Sequence, residues 1–155
     1  IQQLDDESYS CSPQPLFDSP IGNHVRHILD IYQGLMQDKH SLIDYDQRRR
    51  GGAVETKRSE ALKELVVIEN WLMALDSDEF ETVKIIKTEV CLSQQNSEKF
   101  TSTFGRELCF ASSHATHHLA LLVAIAKSMN IKINGQLGIA PATATFLRKQ
   151  QQVVD

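Results

Sequence analysis

Six histidines are present, and five of them fall into two tight groups. The first pair, His24 and His27, sits three residues apart; the second group is His114, His117 and His118. His114 and His118 are four apart, so on a helix they project from one face, a turn apart, where both imidazoles can reach one divalent metal ion. His117 is rotated about 100° from His118 and falls at the rim of that face. Three convergent histidines with no fourth protein ligand leave positions open for water or substrate, the pattern of a catalytic rather than a structural metal site. An i, i+4 histidine pair also occurs as hydrogen-bonded core. The balance shifts toward a metal because a second helix carries its own inward-leaning histidines, and several buried neutral imidazoles need acceptors or an ion. On a helical wheel His24 lies nearer the apolar stripe and His27 further round its edge.

Between the groups lies Asp44-Tyr45-Asp46-Gln47-Arg48-Arg49-Arg50. Its guanidinium groups could clamp a substrate carboxylate or phosphate, Arg48 and Arg50 being the residues assigned to that role. The plainer reading is a solvated loop whose arginines pair with Asp44, Asp46 and Glu55. Tyr45 is a candidate proton donor and Glu55 a candidate general base. Arg106 and Glu107, at the start of the last helix, are expected to fix the hairpin to the bundle, and Cys109, Trp71 and Phe110 to pack in the core.

The elements that must position these groups are mostly helical. Residues 1–18 are polar and proline-punctuated and read as a loop. Ser19-Pro20 then starts a helix over about 20–37, with Ser19 as its cap and apolar residues from Ile21 to Met36 at helical spacing. His40 to Gly52 reads as a polar connector, and a second helix is expected over about 57–75. Residues 82–104 read as a β-hairpin, TVKIIKTEVCL and FTSTF joined by a polar turn. Thr103 caps the longest helix, about 105–129; the tail from Ile131 is a glycine- and proline-broken loop with an uncertain final turn. Only three long helices can be counted where a bundle needs four. The fourth is expected upstream of Ile1, in the connector, or from a second subunit.

The chain has 155 residues and a net charge of −4, room for one domain, taken as 19–155. It lacks the basic face that nucleic-acid binding requires. Its longest apolar run, Leu119 to Ala126, is too short to span a bilayer. Three scattered cysteines (Cys11, Cys91, Cys109) describe neither a disulfide framework nor a paired-thiolate site, so a reducing cytoplasm is the expected home. The opening at Ile1, without methionine, leads us to expect residues upstream.

Ser-Pro-Ile-Gly-Asn-His-Val-Arg-His-Ile-Leu-Asp at 19–30 places a glycine five residues before a histidine at the start of a long helix. Together with His114-x-x-x-His118 on the last helix, this resembles the DinB/YfiT-like superfamily of metalloenzymes, over about residues 9–146. The resemblance implies an all-α fold, a four-helix bundle with the β-hairpin inserted, often dimeric, with one metal held by three histidines at one end. By motif position those ligands are His27, His114 and His118, with His24 and His117 as supporting residues or alternative ligands. Family members with known chemistry include transferases and isomerases that use low-molecular-weight thiols. Another branch, the iron-dependent sulfoxide synthases, continues the last-helix motif as HxxxHxE; Ala120 stands at the glutamate position here. The expected function is therefore that of a metal-dependent hydrolase or thiol-dependent transferase acting on a small polar or anionic molecule. The ion would be Zn²⁺ or Ni²⁺, with Fe²⁺ or Mn²⁺ as alternatives, and would lower the pKa of a water or thiol. The rival expectation is a non-catalytic metal- or small-ligand-binding module, or an oligomerising one with a vestigial site. A homodimer is expected, and neither nucleic acid nor membrane as partner.

Overall fold

In the computed structural model, residues 1–37, 41–133 and 136–152 are described. His40, at the head of the connector, and Asn134 and Gly135 in the tail lie outside them. Among the described residues there are five helices: α1 (Asp6–Ser10), α2 (Ile21–Met36), α3 (Arg58–Ala74), α4 (Phe104–Ser128) and α5 (Pro141–Gln151). Three strands, β1 (Leu42–Asp44), β2 (Val83–Glu89) and β3 (Ser97–Thr103), form one sheet in the order β1-β2-β3.

The expected all-α four-helix bundle is thereby corrected to a mixed α/β fold. The hairpin is not a bare insertion, because β1 pairs with β2 in parallel, Leu42 opposite Ile85 and Asp44 opposite Lys87, while β2 and β3 run antiparallel. β1 hides in the supposed connector because only Ile43 of its three residues is fully buried. One central residue gives no alternation to read. The bundle does not close. α2 packs against both α3 and α4, and α5 buries none of its residues.

Two further readings shift. The N-terminal stretch holds α1, capped by the Asp5 side chain accepting from Ser8 N at 2.7 Å, and it sends Tyr9 and Leu4 into the core. Pro20, not Ser19, precedes α2, and no side chain caps that helix. Thr103 does cap α4, its hydroxyl accepting from Arg106 N at 3.3 Å.

The apolar interior has two parts. One gathers Ile21, Val25 and Leu29 of α2, Ala61 and Ile68 of α3, and Leu122, Ile125 and Ala126 of α4. The other joins helices to sheet through Ile31, Leu35, Ile43, Ile86, Phe104 and Ala111, with Trp71 and Phe110 packed beside it. Cys109, expected in the core, is exposed. α4 is long and apolar enough to cross a membrane by length and composition. One such helix is a weak sign, since core helices pass the same test, and α4 turns Ala111, Leu122, Ile125 and Ala126 into the interior.

Two glycines set close approaches. A Cβ on Gly22, in the first turn of α2, would stand 1.9 Å from the Glu55 carbonyl oxygen and 2.9 Å from the Tyr9 ring. The short 3₁₀ turn Ala53–Glu55 therefore rests directly on α2. Gly138, at φ 74°, lies on α4, and a Cβ there would come within 2.4 Å of the Ala120 Cα. Gly22→Ala should cost about 1–3 kcal/mol, because backbone rather than a flexible side chain must yield. In Gly52→Ala the new Cβ meets only the Arg49 carbonyl, at 3.5 Å, and stability should hold within about 0.5 kcal/mol. Urea unfolding of both variants at unchanged m-value checks the pair.

Candidate metal centre

His27 sits in the second turn of α2 and His114 and His118 lie mid-way along α4, where the two helices pack together. The His27 Nε2 lies 2.8 Å from the His114 Nε2, which in turn lies 3.0 Å from the His118 Nε2. These three residues form a group, ligand atoms all within 4.8 Å of one another, that could hold a metal ion. The donor set suits a divalent transition metal: three imidazoles, no thiolate, no carboxylate in the group.

The helical wheel ranked His24 above His27, and the geometry explains the inversion. α2 is packed on two sides, by α3 and by α4, so its most apolar stripe is not simply the side facing the α4 histidines. His24 reaches His118 from behind: the two Nδ1 atoms are 3.0 Å apart, which fixes the His118 ring while leaving its Nε2 toward His114. A partner on the far nitrogen of a ligating imidazole is the usual way such rings are oriented. His117 stays outside the group, exposed, its ring centroid 5.3 Å from that of His118.

Burial sets the protonation of the cluster. It pushes the His27 imidazole down to about 3, with the neighbouring Arg48 guanidinium adding to the effect. His118 is pushed down to about 4 by burial and then by His114. Burial also lowers His24 and His114. Near neutral pH the rings are therefore uncharged and keep the lone pairs a metal needs.

A cavity of about 490 Å³ opens at this end; among the residues lining it are His24, His27, His118, Arg48, Arg50, Glu55 and Asn23. The Asn23 contribution was not foreseen; its only sequence signal is its place beside His24. The three arginines divide by role. Arg49 turns inward, donating to Asp30 Oδ1 at 2.6 Å and to both Glu64 oxygens at 2.8 and 2.9 Å. Arg48 and Arg50 flank it and face the cavity; the Arg48 Nη1 contacts the His27 Nδ1. The expected pairing of this loop with Asp44 and Asp46 does not form. Both carboxylates instead take Lys87, at 3.0 and 3.6 Å, and Asp46 also accepts from Glu89 N and Ser97 Oγ.

Glu55 stands at the cavity wall, yet both its oxygens are committed, to Arg26 Nε at 2.9 Å and to Gly51 N at 2.7 Å. Tyr45 is a correction. Its buried hydroxyl donates to Glu107 Oε2 at 2.8 Å, away from the cavity, and burial followed by that carboxylate pushes it well above the usual phenol range. Glu107, itself buried, also accepts from Ser102 Oγ at 2.7 Å and Arg106 at 3.0 Å. It thus fastens the hairpin to α4 rather than to a closed bundle, and ties in Tyr45 as well.

The histidine cluster makes the metal-free fold sensitive to acid. The unfolded chain takes up protons near the ordinary histidine pKa of about 6.5, whereas folded His27 and His118 resist until about 3 and 4. Between those limits the unfolded state binds more protons, so stability falls as pH drops below about 6.5. The melting temperature of metal-free protein should decline from pH 7 to pH 4, and a His27→Gln/His118→Gln variant should show a flatter profile.

No family model and no solved structure matches the chain. One curated protein does: FK506-binding protein 5 of Rhizopus delemar is 28% identical over 110 residues, which cover 71% of this chain and 29% of that protein. The chain thus spans less than a third of the length of the relative it matches.

Proposed function

We propose that this chain is a metal-dependent enzyme of the DinB/YfiT type, with one ion held by His27, His114 and His118. It acts as a hydrolase or thiol-dependent transferase on a small anionic molecule. The observation that carries the reading is the convergence of three uncharged imidazoles, two of which, His27 and His118, line a cavity that also receives Arg48 and Arg50. Zn²⁺ or Ni²⁺ suits the all-imidazole donor set best, with Fe²⁺ or Mn²⁺ as alternatives. A divalent ion supplies Lewis-acid chemistry and a nucleophile at neutral pH. Arg48 and Arg50 bind a carboxylate or phosphate of the substrate, a role supported by their lining the cavity and by the planar guanidinium matching either group with two parallel hydrogen bonds. His24 orients the His118 ring, and Glu55, held by Arg26 and Gly51, shapes the cavity wall. The three free cysteines suit a reducing compartment such as the cytoplasm.

A second reading, an oligomerising module with a vestigial site, is favoured by α3, which leaves Val66 53% and Met73 82% exposed. Such a face suits a second copy of the chain, and a homodimer is compatible with either reading. Metal content separates them. Mass spectrometry of protein purified without an affinity tag should find close to one divalent ion per chain, lost in His114→Ala/His118→Ala. Absence of metal from the wild type, together with no uptake of added Zn²⁺, Ni²⁺ or Fe²⁺, would overturn the enzyme reading.

A further inference from the structure

Arg48 occupies a place from which its side chain sets the proton arrangement of His27. A guanidinium has donors only. The His27 Nδ1 that faces Arg48 Nη1 must therefore carry a lone pair, and in the neutral ring the proton sits on Nε2. That proton points at the His114 Nε2, 2.8 Å away. It occupies the lone-pair position that a metal would need. To ligate through Nε2, His27 must carry its proton on Nδ1, and two donors would then face each other across the Arg48 contact. Arg48 has to leave for the ion to enter. It has somewhere to go: the side chain is exposed, and Arg48 and Arg50 also wall a second cavity, of about 750 Å³, on the hairpin side of the loop.

We propose that Arg48 guards the metal site, and that a divalent cation and an anionic ligand bind together because both draw its guanidinium off His27. The inference rests on the three-histidine reading above and adds regulation to it. The cation demands the Nδ1 proton that expels Arg48; an anion between Arg48 and Arg50 holds the expelled guanidinium with a charge-assisted contact. Each ligand then raises the affinity of the other by the same factor. Arg49 remains in place throughout, anchored on Asp30 and Glu64, so the exchange needs only the Arg48 side chain.

The test is a titration of metal-free protein with Co²⁺, followed by visible absorbance and calorimetry at one pH. It is run with and without sulfate at matched ionic strength, on wild type, Arg48→Met and Arg50→Met. In sulfate-free buffer Arg48→Met should bind Co²⁺ about tenfold more tightly than wild type, the scale of one charge-assisted hydrogen bond. Arg50→Met, which removes the same charge without touching His27, should gain no more than about twofold. Sulfate should tighten Co²⁺ binding severalfold in wild type, less in Arg50→Met, and not at all in Arg48→Met. Equal gains in the two variants would reduce the effect to simple charge and overturn the guard. Sulfate enhancement that survives in Arg48→Met would overturn it too. Failure of all three proteins to bind Co²⁺ would instead remove the three-histidine site, and the guard with it.

Discussion

Burying the Arg26 guanidinium on α2 commits the protein to supplying carboxylates for it, since an unpaired charge there would cost several kcal/mol. Arg26 is only 8% exposed. Asp30, one turn along α2, contributes an oxygen at 3.2 Å, and Glu55, from the turn that Gly22 admits, contributes another at 2.9 Å. Asp30 then pairs with Arg49, and Arg49 with Glu64 on α3. Five charges alternate across the 53–55 turn, α2, the arginine loop and α3. The same chain of pairings that neutralises Arg26 fixes the loop, and so decides which two of its three arginines remain for the cavity.

The second fastening of that loop is Glu107. A carboxylate in the first turn of α4 sits at the positive end of the helix dipole, which favours it there. By gathering hydroxyls from Tyr45 and Ser102 it joins the end of β1 to β3 and to the helix that carries His114 and His118. Phe110, one turn before His114, lies between the two regions, its ring 5.4 Å from Tyr45 and 5.6 Å from His114. The site is therefore assembled on packed helices, with Arg48 and Arg50 brought to it from a loop tied at both ends.

What could be read from the residues follows physical lines. α2, α3 and α4 were legible because their apolar residues recur at helical spacing, and the hairpin because β2 is rich in β-branched residues in rough alternation. β1 and α1 were not, because each is too short to write a period, three residues with Ile43 buried and five with Tyr9 buried. α5 buries nothing and so leaves no periodic mark beyond the Pro141 that opens it. Missing β1 cost the fold class: without Leu42–Asp44 a hairpin is an ornament on a bundle, and with it the chain holds a mixed sheet. At the site, the spacing of His114 and His118 carried over directly into facing nitrogens, since helix geometry alone determines it. The choice between His24 and His27 did not, because it depends on which side of α2 meets α4. Nor could residue type show where a hydroxyl points, and Tyr45 was misjudged for that reason.

The seating of the tail on α4 has a consequence for what position 138 tolerates. Gly138 combines a left-handed backbone, at φ 74°, with an approach that would bring any Cβ to 2.4 Å from the Ala120 Cα. Either condition alone disfavours a side chain, the first through strain in the chain itself and the second through collision with backbone that cannot swing aside. Position 138 is therefore closed twice over, and a substitution that relieved one obstacle would still meet the other.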